Sequence, residues 1–239
     1  MRLLAEGPWL SVEITSTKEE YLETIYRLQR KSGVARTSEI VDALKVAPGT
    51  VTNTVERLEK EGLVTHEPYK GVKLTGEGLK LAQMTIRRHR LAERLLTDII
   101  GVGWAEAHSH ACRLEHGICD DIADRLEEIL YHPASCPHGN PIPSKSGKIK
   151  MEETMPLSEA SAGETLEVVM IIEENSEILQ YLASKGFTPG VKLTVVERAP
   201  FEGPLTVGVD VHVHAVARNV ASIVWVRRKE PPGNKGGST

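Results

Sequence analysis

The stretch TSEIVDALKVAPGTVTNTVERLEKEGLVTHEPYKGVKLT, residues 37–75, decides the fold of the first part of the chain. It contains two helical segments, about Ser38 to Leu44 and about Pro48 to Glu61, with a short turn between them. Pro48 stands in the first turn of the second segment and Gly62 just past its end, where helices tolerate proline and favour glycine. Two short runs, LVTHE and GVKLT, then flank a Pro-Tyr-Lys-Gly turn, the pattern of a small β-hairpin. Helix, turn, helix and hairpin in this order describe a winged helix-turn-helix, whose second helix presents its front half to base edges in the major groove.

The residues of that second helix fit the reading. Val51, Val55 and Leu58 recur at spacings of four and three and so face a core. Thr50, Thr52, Asn53 and Thr54 are then expected at the exposed front, as short hydrogen-bonding groups suited to base edges. Arg36 ahead of the first segment, and Tyr69 and Lys70 at the hairpin tip, are expected phosphate contacts that position the protein without specifying sequence. Between residues 16 and 100 the chain carries 15 Lys and Arg against 12 Asp and Glu, a small local excess of positive charge. The whole chain, at a formal net charge of −4, is not a protein that coats nucleic acid indiscriminately.

Upstream, TKEEYLETIYRLQRK at 17–31 places Leu22, Ile25, Tyr26 and Leu28 at helical spacing, with Thr17 and Glu20 in capping-box register and Gly33 as the stop. Downstream, a long helix is expected from Thr75 to about Ile99, and another from about Ala105 to Leu130. The Pro- and Gly-punctuated stretch at 132–148 reads as a loop. Beyond residue 155 the runs TLEVVMII, KLTVVER, LTVGVDVHVHAV and SIVWVRR are β-branched or alternating, and one short helix, about Glu177 to Lys185, interrupts them. A mainly α amino-terminal part followed by a small all-β barrel is therefore the expected fold. The expected division is 1–75 for DNA binding, 76–148 for a helical part, 149–230 for the barrel and 231–239 for a disordered tail.

Three cysteines among 239 residues leave one unpaired in any disulfide scheme. The opening MRLLAEGPWLSVEI is a poor signal peptide. No run approaches the ~20 apolar residues of a membrane span. These features point to a reduced, cytoplasmic protein.

The chemistry-bearing residues lie on the two helices after the hairpin. His89 and Glu93 are four apart on the first. On the second, His108, Cys112, Glu115 and His116 sit at relative positions 0, 4, 7 and 8, one stripe of a continuous helix. An apolar stripe at this spacing would be core, whereas imidazole, thiolate and carboxylate are metal-ligand types. The mixture suits Fe(II), Mn(II), Co(II) or Ni(II) rather than an all-thiolate zinc cage. Cys119 and Cys136 read as packing or loop residues, and His138, His212 and His214 are left outside the metal set.

The runs HRLAERLLTDIIG at 89–101, ACRLEHGICDDIADRL at 111–126 and CPHGNPIP at 136–143 resemble the diphtheria toxin repressor family of iron- and manganese-dependent repressors. The resemblance spans about residues 15–228, and the carboxy-terminal part is similar to the FeoA-type SH3-like domain. It implies a metal-dependent repressor of metal-uptake genes that acts as a homodimer on a palindromic double-stranded operator, with two metal sites per subunit. One site would use His89, Glu93 and His108, joined by Glu174 and Glu177 from the barrel. The other would use Cys112, Glu115 and His116 with a first-helix residue. Iron-type members carry Met at that first-helix position, where this chain has Glu20, and Glu23 matches a carboxylate of manganese-type members. Carboxylates harden the site, so Mn(II) is expected ahead of Fe(II). A winged-helix sensor of a small organic ligand and a metallo-hydrolase using the same donors are the competing readings.

Overall fold

A computed structural model of the chain describes residues 14–67, 70–173 and 175–228. Expectations placed on the opening residues, on Tyr69, on Glu174 and on the 231–239 tail lie outside the described residues. The chain divides into two compact units. The first comprises the residues up to His89, Arg113–Leu126 and Pro143–Ile149. The second comprises Arg90–Cys112, Glu127–Ile142 and the chain from Lys150 onward. This partition runs through the helical stretch that the sequence suggests as one domain.

In the first unit, α1 (Ser16–Ser32) begins at Thr15, which has extended backbone angles and whose hydroxyl accepts from the Lys18 amide at 3.4 Å. Thr17 lies inside the helix, so the expected Thr17–Glu20 capping box does not form. Thr15 wins because it is the last non-helical residue, the position from which a side-chain oxygen reaches the free amides of the first turn. Gly33 stops the helix in the left-handed region, as its place in the sequence suggests. Next come α2 (Thr37–Leu44), α3 (Pro48–Lys60), and the antiparallel strands β1 (Val64–Glu67) and β2 (Gly71–Leu74). Leu22 and Ile25 of α1, Ile40 of α2, Val51, Val55 and Leu58 of α3, and Val72 of β2 share one core. Full burial of each such side chain stabilises the unit by about 1.5–3 kcal/mol. Ala35 adds a rung beside the hairpin, exchanging two backbone hydrogen bonds with Val72. The close approach requires Gly71, whose absent Cβ would stand 2.7 Å from the Ala35 carbonyl oxygen.

Both long helices of the middle part depart from the sequence expectation. The helix after the hairpin runs as α4 (Gly76–Arg94) and then widens into a π-helical turn, Leu95–Ile100. Thr97 contributes to the widening, since its hydroxyl donates to the Glu93 carbonyl at 3.1 Å and competes with the backbone ladder there. The expected continuous helix from Ala105 to Leu130 is broken. It forms α5 (Ala107–Leu114), a 3-10 turn at Glu115–Gly117, and α6 (Asp120–Ile129). Gly117 weakens the helix, β-branched Ile118 takes an extended conformation, and Asp120 and Asp121 complement the amino terminus of a new helix.

The second unit is built on a six-stranded antiparallel sheet. Its strands are β3 (Met155–Pro156), β4 (Thr165–Ile171), β5 (Lys192–Arg198), β6 (Leu205–Val209), β7 (His212–Val216) and β8 (Val224–Arg228), in the spatial order β3-β8-β4-β5-β6-β7. Bulges in the β4–β8 and β5–β6 pairings bend it. Leu166 and Val168, Leu193 and Val195, and Leu205, Val207 and Val209 alternate inward. They meet Leu179 and Leu182 of α7 (Ser176–Ser184), while the short α8 (Arg218–Ala221) adds Ala221. The helical part followed by a small SH3-like sheet is the fold class that the sequence predicts.

Candidate metal centres and nucleic-acid face

In the first unit the donors converge at the 3-10 turn. Glu23 of α1, His89 of α4 and Glu115 of the turn are all buried and place one donor atom each within 4.8 Å of one another. His89 Nδ1 lies 2.5 Å from Glu115 Oε2, and His116 Nε2 lies 3.4 Å from Glu115 Oε1, so one carboxylate faces two imidazoles. Arg27 donates to Glu23 from the outer side of α1. Glu115 and His116 stand in the 3-10 turn that follows α5, and Glu115 faces Glu23 of α1 and His89 of α4. Burial pushes the Glu115 carboxyl up, and the Glu23 charge pushes it in the same direction against its two imidazole partners. Two buried carboxylates and an imidazole at this spacing fit a divalent cation, whose charge would offset their mutual repulsion.

A second group lies wholly within the second unit. Glu93, Cys136 and His138, all buried, bring one donor atom each within 4.8 Å of one another. His138 Nδ1 is 3.3 Å from Glu93 Oε1 and 4.0 Å from Cys136 Sγ. Its Nε2 is 3.0 Å from the Trp104 carbonyl, and the Trp104 ring stands edge-on to the imidazole at 4.8 Å. A carbonyl only accepts, so Nε2 carries a proton and Nδ1 is turned towards the carboxylate and thiol. Burial opposes a charge on His138, but hydrogen bonds to Cys136 and Glu93 together with the Glu93 charge outweigh it and hold the pKa at about 10. His108 Nδ1 lies 3.6 Å from Glu93 Oε1, and Cys112 Sγ lies 3.4 Å from His108 Nε2.

The loop bearing Cys136 and His138 is fastened to the sheet. The Ile171 amide donates to the His138 carbonyl at 2.9 Å, and Asn140 Nδ2 donates to the Ile171 carbonyl at 2.8 Å. Gly139 passes β4 in the left-handed region, and a Cβ there would stand 2.0 Å from the Val169 carbonyl oxygen.

Sequence profiles now place the chain. Residues 13–72 match the N-terminal DNA binding domain of iron dependent repressors, 75–144 their metal binding and dimerisation domain, and 155–228 the FeoA domain. The chain is 35% identical over 195 residues to the diphtheria toxin repressor of Corynebacterium glutamicum, covering 77% of this chain and 85% of that protein. This chain belongs to the diphtheria toxin repressor family.

Relatives of this repressor-family chain include the iron-dependent repressor IdeR of Mycobacterium tuberculosis, 34% identical over 198 residues, with 77% of this chain and 85% of that protein covered. Among solved structures, a manganese-dependent transcriptional repressor in complex with manganese superimposes with a TM-score of 0.81 at 29% identity, covering 89% of this chain and 100% of that one. The crystal structure of T. acidophilum IdeR gives 0.79 at 27% identity, with 91% of this chain and 99% of that one covered. These relatives are metal-dependent transcriptional repressors by name.

Within each unit, the donors gather around His89 and around Glu93. His89 meets Glu115 and Glu23 in the first unit, while Glu93 meets His138, Cys136 and His108 in the second. Glu20 is exposed on α1 and in neither group, about 100° around the helix from the buried Glu19. Glu177 is exposed in the first turn of α7 and joins neither group. Sequence reasoning passed over Cys136 and His138. The available signal was their Cys-x-His spacing in a turn that Gly139 folds back on itself.

On the nucleic-acid face, Thr50, Thr52 and Asn53 are exposed on the front of α3, and Arg36 is exposed ahead of α2. Thr54 is a correction. It is buried with Val51, Val55 and Leu58, since it completes their spacing of three and four. Lys70 is exposed at the hairpin, 2.7 Å from Glu67 Oε2. Among the described residues no helix is long and apolar enough to cross a membrane.

Proposed function

We propose that this chain is a cytoplasmic, manganese-preferring repressor of metal-uptake genes that binds a palindromic operator as a homodimer. The observation that carries it is the buried Glu23–His89–Glu115 group, whose members come from the helix under the DNA-reading head and from the helices beyond it. With His116 this group offers only oxygen and nitrogen donors, a hard set that suits Mn(II) over softer ions. Glu93, Cys136 and His138, with His108 beside them, are the proposed second centre, in which the thiolate makes the donor set softer. The three-part division at 1–75, 76–148 and 149–230 remains the functional division we propose, and we read the protein as a regulator and not an enzyme, as its family consists of DNA-binding regulators.

A bound cation supplies the positive charge that lets Glu23 and Glu115 stay ionised side by side. Glu23 then holds α1 against α4 and the 3-10 turn. Because Leu22 and Ile25 of α1 share a core with α2 and α3, fixing α1 fixes the angle of the reading helix. Two such heads must match half-sites about 34–36 Å apart, so a small change of angle decides binding. Thr50, Thr52 and Asn53 are the proposed base contacts, and Arg36 and Lys70 the phosphate contacts.

Fluorescence anisotropy of the full-length protein on DNA upstream of metal-transporter genes tests the reading, with Mn(II), anaerobic Fe(II) and then chelator at fixed salt. Binding that appears with Mn(II) and is abolished by chelator is expected. Metal-indifferent binding would move the reading to an organic-ligand sensor, and turnover of phosphoester or peptide substrates to a metallo-hydrolase. In the same assay Glu23→Ala should lose the metal response, whereas Glu20→Ala should retain most of it. The reverse order would mean that α1 turns about its axis when metal binds.

The second centre makes a prediction about pH. His138 keeps its proton up to about pH 10 in the metal-free protein, and Nδ1 must give that proton up to bind a cation. Metal affinity at this centre should therefore rise with pH by about tenfold per unit through the neutral range, with proton release measurable by calorimetry in buffers of different ionisation enthalpy. Affinity independent of pH would remove His138 from the ligand set.

A further inference from the structure

We propose that Glu19 is a positioning residue that fixes the ring of His116 for metal binding, an inference that rests on His116 being a ligand of the first centre. Glu19 lies one turn before Glu23 on the same buried face of α1. Its Oε2 is 2.7 Å from His116 Nδ1, and its Oε1 accepts a hydrogen bond from the Arg88 guanidinium. Arg88 is itself held, donating to Thr85 Oγ1 at 3.2 Å on its own helix and to Asp120 Oδ1 at 3.4 Å on α6. The Glu19 carboxylate is thus clamped between an anchored arginine and an imidazole.

The chemistry follows from donor and acceptor roles. An ionised carboxylate has no proton to give, so Nδ1–H of His116 donates to Glu19. That leaves Nε2 as the metal-facing nitrogen, and Nε2 is the atom that lies 3.4 Å from Glu115 Oε1. A carboxylate behind a metal-binding imidazole fixes its tautomer, orients its ring and raises its basicity. The same residue ties His116 to the helix beneath the reading head. α1 therefore contributes to the centre twice, through Glu23 at the ligand positions and through Glu19 behind them. The adjacent carboxylate, Glu20, takes neither role.

The test uses the full-length protein with Glu19→Ala, Glu19→Gln, Arg88→Met and His116→Ala. In the metal-free protein at about pH 8, above the ordinary histidine range, two-bond ¹H–¹⁵N spectra of the imidazoles report which His116 nitrogen carries the proton, and His116→Ala assigns the signal. Nδ1 protonation is expected in the parent and in Glu19→Gln, which keeps an acceptor, and its loss is expected in Glu19→Ala. Mn(II) affinity, read by electron paramagnetic resonance of the free ion, should fall about 10–100-fold in Glu19→Ala and recover most of that in Glu19→Gln. Arg88→Met separates packing from positioning, and should lower thermal stability while leaving the His116 proton on Nδ1. An unchanged tautomer and affinity in Glu19→Ala would overturn the proposal. If His116→Ala binds Mn(II) as the parent does, the ligand reading of His116 has failed, and the positioning role falls with it.

Discussion

Replacing Glu115 with Gln should abolish metal-dependent DNA binding and at the same time raise the melting temperature of the metal-free protein. The two effects have one cause. Glu115 is buried, faces His89 and His116 through separate oxygens, and stands beside the Glu23 carboxylate. Burial, with the Glu23 charge adding to it, raises its pKa above the ordinary carboxylate value. A carboxyl raised on folding favours the native state at low pH, and that advantage is lost as pH rises through the folded pKa. At neutral pH the ionised group is therefore a cost to the metal-free fold, one that Gln does not carry. Gln keeps an oxygen for the His89 contact but removes the charge that a cation would meet. In the parent, Mn(II) at one hundred times its dissociation constant should add about 2.7 kcal/mol of stability. For Glu115→Gln the metal-free protein should melt a few degrees higher, the metal-induced rise should shrink to the part that the second centre supplies, and operator affinity should stay at its chelated level. Calorimetry with and without Mn(II), beside anisotropy on the operator, checks all three. A variant that melts lower without metal, or that gains as much stability with it as the parent does, would show that Glu115 belongs to the packing of the 3-10 turn.

Local rules made the reading head legible. The spacing of Val51, Val55 and Leu58, Pro48 at a helix start, Gly33 and Gly62 at helix ends, and the hairpin punctuation each act over a few residues, and each was satisfied in the fold. Thr54 shows the limit of the same rule. Its polar side chain suggested the exposed front, while its position, three after Val51 and four before Leu58, put it in the core. Thr17 lost the capping role to Thr15 because both can cap and only backbone angles two residues apart decide between them.

The metal-type side chains were legible by their chemistry, while the single stripe expected of four of them rested on a continuous helix. A continuous helix from Ala105 to Leu130 would have kept His108, Cys112, Glu115 and His116 on one stripe. One glycine and one β-branched residue, Gly117 and Ile118, end that helix, and Glu115 and His116 stand in the 3-10 turn before the break. Such breaks cost little in propensity, and tertiary partners decide them. Cys136 and His138 were harder still. A loop has no periodicity to reveal which side chains turn inward, and the groups that turn these two inward, Trp104 and Ile171, lie about thirty residues away on either side.

The distance of those partners in sequence is why a substitution with no ligand chemistry should empty the second centre. At Gly139 the backbone lies in the left-handed region, and a Cβ would stand 2.0 Å from the Val169 carbonyl and 2.8 Å from the Met170 Cα. Both obstacles are backbone of β4, whose Met170 pairs with Trp225 of β8. Gly139→Val must therefore push the loop off the strand. Moving it breaks the Ile171–His138 and Asn140–Ile171 hydrogen bonds, and His138 loses its alignment with Glu93. The left-handed strain of a β-branched residue adds at least about 1 kcal/mol to the loss of two buried hydrogen bonds at about 1 kcal/mol each. The expected result is a folded protein some 3 kcal/mol less stable, by the same order-of-magnitude reckoning, that binds one Mn(II) per chain where the parent binds two. The pH-dependent component of binding assigned to His138 should be absent from that single event. Gly139→Ala should give the same loss of stoichiometry with a smaller loss of stability, because its Cβ meets the same carbonyl without the branched methyls. Two metals bound at parental affinity in Gly139→Val would mean that Cys136 and His138 are held from the Trp104 side alone, and that the sheet is a passenger to the second centre.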